Sequence, residues 1–279
     1  MKSVLLIGQS NMAGRGFTNQ VEPIIDERIF VLRNGRWQMM DEPIHSDRAV
    51  AGIGPAASFA KMWVDAHPNE TIGLIPCADG GTSIDEWAKD QMLTRHAIAE
   101  TQFAMESSDL IGILWHQGES DSLNGNYATY SEKLKGLIDY LRETFNKPEC
   151  PFVMGLLGDY LGQQGFGLSA PEFQHINTCI QEVAQQKDNC YFVTAQALTP
   201  NPDGIHIDAL SQRKFGMRYY KAFNERSNVD VPLNGEENIE SKLTKKKYTK
   251  NEKMYMLIAK LSRNQISYED FEKQMQSLY

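Results

Sequence analysis

A chain of 279 residues is long enough to bury one sizeable core, or one core with a small appendage, without disulfides or metal to hold it. Its formal charge of -8 excludes nucleic acid and anionic membrane as main partners, because both require a basic surface. With 41% apolar and 23% charged residues, and no apolar run near the roughly 20 residues of a bilayer span, the composition is that of a soluble globular protein.

Short runs rich in Val, Ile and Leu alternate with longer segments of helical period, the pattern of a parallel sheet with crossover helices. The first run, Ser3 to Ile7, is too short for a secretory signal and is followed by no small-residue cleavage site. It reads as a buried strand, with a cytoplasmic location as the expectation. Further strands are expected at Arg28 to Leu32, Thr71 to Ile75, Leu110 to Trp115, Phe152 to Leu157 and Tyr191 to Thr194. Helices are expected at Pro55 to His67, where Phe59, Met62 and Trp63 share a side, and at Tyr127 to Phe145. Glu172 to Gln186 and Ala209 to Phe223 complete a doubly wound α/β/α sandwich of flavodoxin-like type. Such folds bind ligands beyond the carboxyl ends of their strands.

After residue 224 the chain turns polar and reads as a linker, so residues 1–224 form the main domain and 225–279 a linker with a C-terminal helical extension. Its helices, Lys250 to Leu261 and Tyr268 to Leu278, suit either packing on the main domain or a homo-oligomer contact. The lysines at 245 to 247 read as a solvated face. Cys77, Cys150, Cys179 and Cys190 lack the spacing of zinc ligands and read as independent buried thiols.

Four expected strands run directly into polar or glycine-rich loops. Strand one enters Gly8-Gln9-Ser10-Asn11-Met12-Ala13-Gly14, which sets the Ser10 hydroxyl at the ligand-binding edge, although a Ser there also serves as a helix cap. A serine attacks only when a base takes its proton. The loop after the last strand holds Asp203-Gly204-Ile205-His206, whose spacing allows the carboxylate to bind one imidazole nitrogen and leave the other for Ser10. The third loop, His116-Gln117-Gly118-Glu119-Ser120-Asp121, contains the Gln117 amide as an oxyanion donor. There Glu119 supports the loop, orients Gln117 or meets sugar hydroxyls. His116 and Glu119 stand in an HxxE arrangement at a strand end and not in a helical HExxH, so no metal site is expected. The fourth loop, Asp79-Gly80-Gly81-Thr82-Ser83-Ile84, supplies a main-chain N–H free of side-chain obstruction. Nucleophile, base, orienter and oxyanion donors together make the equipment of acyl transfer.

The motifs GQSNMAG, GGTSI, WHQGESD and DGIH, in that order across residues 1 to 223, resemble the SGNH (GDSL-like) hydrolase superfamily. The similarity is to its branch of sialate O-acetylesterase-like proteins and carbohydrate esterase family six acetylxylan esterases. The resemblance implies a three-layer fold, no cofactor, and a Ser-His-Asp acyl-enzyme mechanism with Ser10 as nucleophile, His206 as base and Asp203 as its partner. It also implies an oxyanion hole from the Ser10 N–H, one glycine of the 80 to 81 pair, with Gly81 favoured, and Gln117; Gln9 and Glu119 are read as loop support. Gln117 stands where the wider superfamily has the Asn of a GxND motif, a substitution normal for the carbohydrate-esterase branch. The expected substrate is a small acetylated carbohydrate, such as an imported xylo-oligosaccharide, because xylan itself is too large to enter a cell. The competing readings are a general short-chain esterase or lipase, and a non-catalytic carbohydrate-binding protein.

Overall fold

The structure, a computed structural model, describes residues 1–243 and 247–279. Its centre is a seven-stranded sheet of β1 (Lys2–Gly8), β2 (Ile29–Arg33), β3 (Arg36–Met39), β4 (Ile72–Pro76), β5 (Asp109–His116), β6 (Phe152–Gly155) and β7 (Cys190–Val193). The strand order is β3-β2-β4-β1-β5-β6-β7, parallel throughout except for β3. The expected strands match to within one or two residues at each end. β3 was not expected. It is short, partly exposed and without an apolar run, and it pairs with β2 through an Asn34-Gly35 turn in which both residues have positive φ.

The helices are α1 (Ser10–Ala13), α2 (Ala56–Ala66), α3 (Met92–Met105), α4 (Tyr130–Thr144), α5 (Phe173–Gln186), α6 (Ala209–Glu225), α7 (Ile239–Leu243), α8 (Lys250–Ser262) and α9 (Tyr268–Gln276). Residues of β1 alternate between two cores. Val4 and Leu6 join Phe59, Trp63 and Phe215 on the α2 and α6 side, while Leu5 and Ile7 join Trp115, Leu134 and Ile180 on the other. The sheet is thus buried on both faces, as a parallel sheet requires. α3 also escaped the sequence reading. Its buried stripe is Thr94, Ala97, Thr101 and Ala104, small residues that keep the helical spacing without a strong apolar signal.

Because β4 and β5 flank β1, the connections leaving β1 and its neighbours diverge to opposite sides. This opens a crevice at the carboxyl end of β1, where Ser10 stands.

The stretch read as a linker packs on the domain over its first part. Val229 bridges to Val193 and so covers the outer edge of β7, with the Thr194 N–H donating to the Val229 carbonyl at 2.8 Å. Ile239 and Leu243 enter the α2 and α6 core. Arg218, fully buried on α6, forms an ion pair with Glu236 and also donates to the carbonyls of Thr194 and Gln196. Lys245 and Lys246 lie outside the described residues, and Lys247 is exposed. α8 is anchored by Glu252, which caps its own first turn and accepts from the Glu27 N–H at 3.0 Å, whereas α9 buries no residue. All four cysteines are buried and free. Among the described residues no helix is long and apolar enough to cross a membrane.

Removing one member of a buried ion pair strands the other. Glu236→Ala is therefore expected to lower unfolding free energy by about 3 kcal/mol in urea titration, and the double change Arg218→Met, Glu236→Leu to recover part of that loss.

Candidate active site

β1 passes through Gly8 and Gln9 into the single turn of α1, which begins at Ser10. Ser10 is 5% exposed, yet its hydroxyl is neither hydrogen bonded nor among the sealed-off polar atoms, so it stays open to the crevice. Asp203 and His206 meet through their own turn. Asp203 Oδ1 accepts the N–H groups of Ile205 and His206, both at 3.0 Å, and Oδ2 lies 2.7 Å from His206 Nδ1. Burial works to raise the Asp203 carboxyl, but these hydrogen bonds outweigh it and hold the pKa below the usual carboxylate range. An ionised Asp203 fixes the proton on Nδ1 and leaves Nε2 unshared and accessible.

Asn11 brings the serine turn and the histidine loop together. Its side chain accepts from the Ile207 N–H at 2.9 Å and donates to the Ile205 carbonyl at 3.1 Å, gripping the residues on either side of His206. It also donates to Glu119 Oε1 at 2.5 Å. Gln9 binds the same third loop, with Oε1 accepting from the N–H groups of Gly118 and Ser120 at 3.2 and 3.3 Å. Gln9 and Glu119 thus both lie in the loop contacts where loop support was expected. The geometry connects Ser10, His206 and Asp203 through Asn11, and no hydrogen bond joins the Ser10 hydroxyl to His206.

The glycine loop closes the other side. The Asp79 N–H donates to the Gly8 carbonyl at 3.0 Å, placing this loop beside the end of β1. Gly81 has φ +80, and a Cβ there would meet nothing within 4 Å, so the backbone conformation and not crowding calls for glycine. The preceding residue, Gly80, is held on both sides. The Gly80 N–H donates to Asp47 Oδ2 at 2.9 Å, while the Gly80 carbonyl accepts from Arg48 at 3.1 Å. Neither the Ser10 nor the Gly81 main-chain N–H is hydrogen bonded to another described group.

Gln117, expected as a side-chain donor, is fully buried and commits its amide elsewhere. Its Nε2 donates to the Thr82 carbonyl at 3.0 Å and to Asp121 Oδ2 at 2.5 Å. Asp121 also accepts from the Ile84 N–H at 2.8 Å, tying the third loop to the glycine loop. His116 is enclosed, edge-on to Phe215 at 5.3 Å between ring centroids and with Nδ1 3.8 Å from Glu119 Oε1; burial lowers its pKa against the pull of that carboxylate. Among the described residues no group of His, Cys, Asp and Glu has the arrangement of a metal site.

In the flanking loops, Trp37 lies at the far sheet edge and donates to Ser107, whereas Arg48 reaches the glycine loop. Arg48 also pairs with Asp79. Asn11, Arg15 and Asp47 escaped the sequence reading. Asn11 was detectable as the neighbour of Ser10 in the same motif, but the Arg15–Asp47 ion pair spans 32 residues and no local signal announces it.

A mostly parallel sheet thus carries a serine after its first strand and an Asp-His loop at the same edge. The chain belongs to the family described as carbohydrate esterase, sialic acid-specific acetylesterase, which matches residues 1–225. Membership makes it a carbohydrate esterase, hence an ester hydrolase. It is similar to a probable carbohydrate esterase of Arabidopsis thaliana, 28% identical over 249 residues, covering 78% of this chain and 88% of that one. An X-ray structure of an Arabidopsis thaliana protein superposes with a TM-score of 0.72 at 27% identity over 80% of this chain and 98% of that one. NanS shares the fold at a TM-score of 0.65 and 16% identity, covering 81% and 97% of the two chains.

His45, in the loop between β3 and α2, is buried with Nε2 unpartnered. Burial outweighs the opposing pull of Asp47 and brings its pKa from 6.5 down to about 4. As pH falls, the unfolded chain therefore binds this proton first, so the destabilisation begins near pH 6.5, grows on acidification and levels off near pH 4. His45→Gln is expected to remove up to about 3 kcal/mol of acid sensitivity across that window, read from denaturation midpoints at several pH values.

Proposed function

We propose that the protein hydrolyses O-acetyl esters of small carbohydrates through an acyl-enzyme, with Ser10 as nucleophile, His206 as base and Asp203 as orienter. The observation that carries this reading is the Asn11 side chain, which ties the turn bearing Ser10 to both residues flanking His206 while Asp203 holds the far imidazole nitrogen at 2.7 Å. Ser10 Oγ attacks the acetyl carbonyl carbon as its proton passes to His206 Nε2. The resulting oxyanion faces the Ser10 and Gly81 N–H groups, both without another partner. His206 then protonates the departing sugar oxygen, and water repeats the sequence on the acetyl-serine.

Gln117 serves this hole from behind. By holding the Thr82 carbonyl it fixes the chain just after Gly81, and Arg48 on the Gly80 carbonyl polarises the peptide whose N–H belongs to Gly81. The family match and the similarity to a probable carbohydrate esterase support a carbohydrate ester as substrate.

Ser10→Ala is expected to reduce p-nitrophenyl acetate hydrolysis by several powers of ten while leaving the circular dichroism spectrum and melting temperature near those of the parent. Turnover that persists at the parental rate would remove Ser10 from the mechanism. Asp203→Asn should cost less than Ser10→Ala, because Asn11 still holds the segment around His206.

A further inference from the structure

Beside His206 lies an open cleft of about 670 Å³ whose rim carries two aromatic rings, Phe17 and Phe166. They are 48% and 71% exposed, and Val50 on the same rim is 69% exposed. Single exposed apolar side chains are ordinary. Here three of them border one cleft that also contains His206 and Asp203.

Their backbones are anchored. Phe166 donates its N–H to the Asp203 carbonyl at 2.8 Å, and a Cβ on the next residue, Gly167, would fall 2.2 Å from the Gly204 carbonyl oxygen. The 3-10 turn bearing Phe166 is thereby pressed against the Asp-His loop. Phe17 follows Gly16, which exchanges both main-chain hydrogen bonds with Ile53 at 3.0 and 2.8 Å. Two exposed rings on anchored backbones are suited to a flat ligand, and aromatic faces, negative in their quadrupole, attract the C–H groups on the apolar side of a pyranose.

The charge of the cleft narrows the ligand further. Arg15 is the one Lys or Arg among the described residues lining it, and it is bound through both terminal nitrogens to Asp47, at 3.3 and 2.6 Å, with 5% of its side chain exposed. The remaining polar groups at the mouth include Thr18 and Asn19, both neutral. A sugar carboxylate would find no free cation there, next to Asp203 and on a chain of net charge -8.

We infer that Phe17 and Phe166 form the sugar subsite of this cleft and that it takes an uncharged acetylated pyranose in preference to an anionic sugar such as a sialic acid. The inference rests on the esterase reading above and goes beyond it in naming the subsite and the charge of its ligand. Acetylated methyl xylopyranoside, 9-O-acetyl sialic acid and p-nitrophenyl acetate are compared as substrates of the parent enzyme, Phe17→Ala and Phe166→Ala. The parent is expected to favour the neutral sugar over the sialic acid by tenfold or more in kcat/KM. Each alanine change is expected to lower kcat/KM on the neutral sugar roughly tenfold more than on p-nitrophenyl acetate, chiefly through KM. Preference for the sialic acid, or equal losses on both substrates, overturns the inference. Calorimetry of unacetylated methyl xylopyranoside and free sialic acid with Ser10→Ala tests the subsite without turnover. Neutral sugar binding that weakens in a second-site Phe17→Ala, when the parent enzyme itself hydrolyses none of the three esters, sustains the subsite and rejects the esterase reading. Failure of the neutral sugar to bind better than sialic acid rejects the subsite.

Discussion

The side chain of Asn11 is enclosed where three loops meet, and its contacts join its own loop to the Asp-His loop and to the loop of Glu119. Its oxygen accepts the Ile207 N–H, and its nitrogen donates to the Ile205 carbonyl and to Glu119, while its main-chain carbonyl accepts from Gln212 of α6 at 3.0 Å. With no water to replace a lost partner, a buried amide of this kind makes its loops adopt one relative arrangement or leaves polar groups unsatisfied. Ser10 is its chain neighbour and His206 lies between two of its partners. The separation of Ser10 and His206 thus depends on Asn11 more directly than on either of those two residues.

Around that anchor, long loops are fixed by buried ion pairs. Arg213 on α6 binds Glu42 through both terminal nitrogens, at 2.5 and 2.6 Å, and Arg15 binds Asp47. Such pairs add little net stability once their desolvation is counted, yet they are exacting about geometry. They hold the stretch between β1 and α2 against the glycine loop, where Asp47 also takes the Gly80 N–H. Asn201, by donating to the Arg15 carbonyl at 2.8 Å, connects the Asp-His loop to the same layer. Loop backbone buried at the sheet edge requires partners, and side chains from distant elements supply them.

The parallel strands were legible because burial on both faces makes each a short apolar run bounded by polar residues. β3 was not, since an edge strand of Arg36, Trp37, Gln38 and Met39 has no such run. Its evidence lay in Asn34-Gly35, a turn signal the apolar pattern did not register. α3 hid behind Thr94, Ala97, Thr101 and Ala104, whose small side chains let the helix approach the sheet closely while contributing little to an amphipathic pattern. Ser10, Gly81 and His206 stand out in the sequence by their positions at strand ends. Asn11 stood beside Ser10 and was passed over, because an Asn in a turn is more familiar as a cap than as a bridge.

What the sequence determined by itself is local. It specifies which loops follow which strands, which residue types occupy their tips, and the Asp203–His206 contact, whose partners lie three residues apart and meet through one turn. What only the tertiary structure decided is the choice among partners brought together from far along the chain. β4 lies between β2 and β1, the Gln117 amide turns to Thr82 and Asp121, and Phe17 and Phe166 come to border one cleft. The reason is physical: a turn closes within a few residues at small entropic cost, whereas a buried donor faces several acceptors at once. Which acceptor it reaches depends on how the sheet orders its strands and on how completely the surrounding loops exclude water.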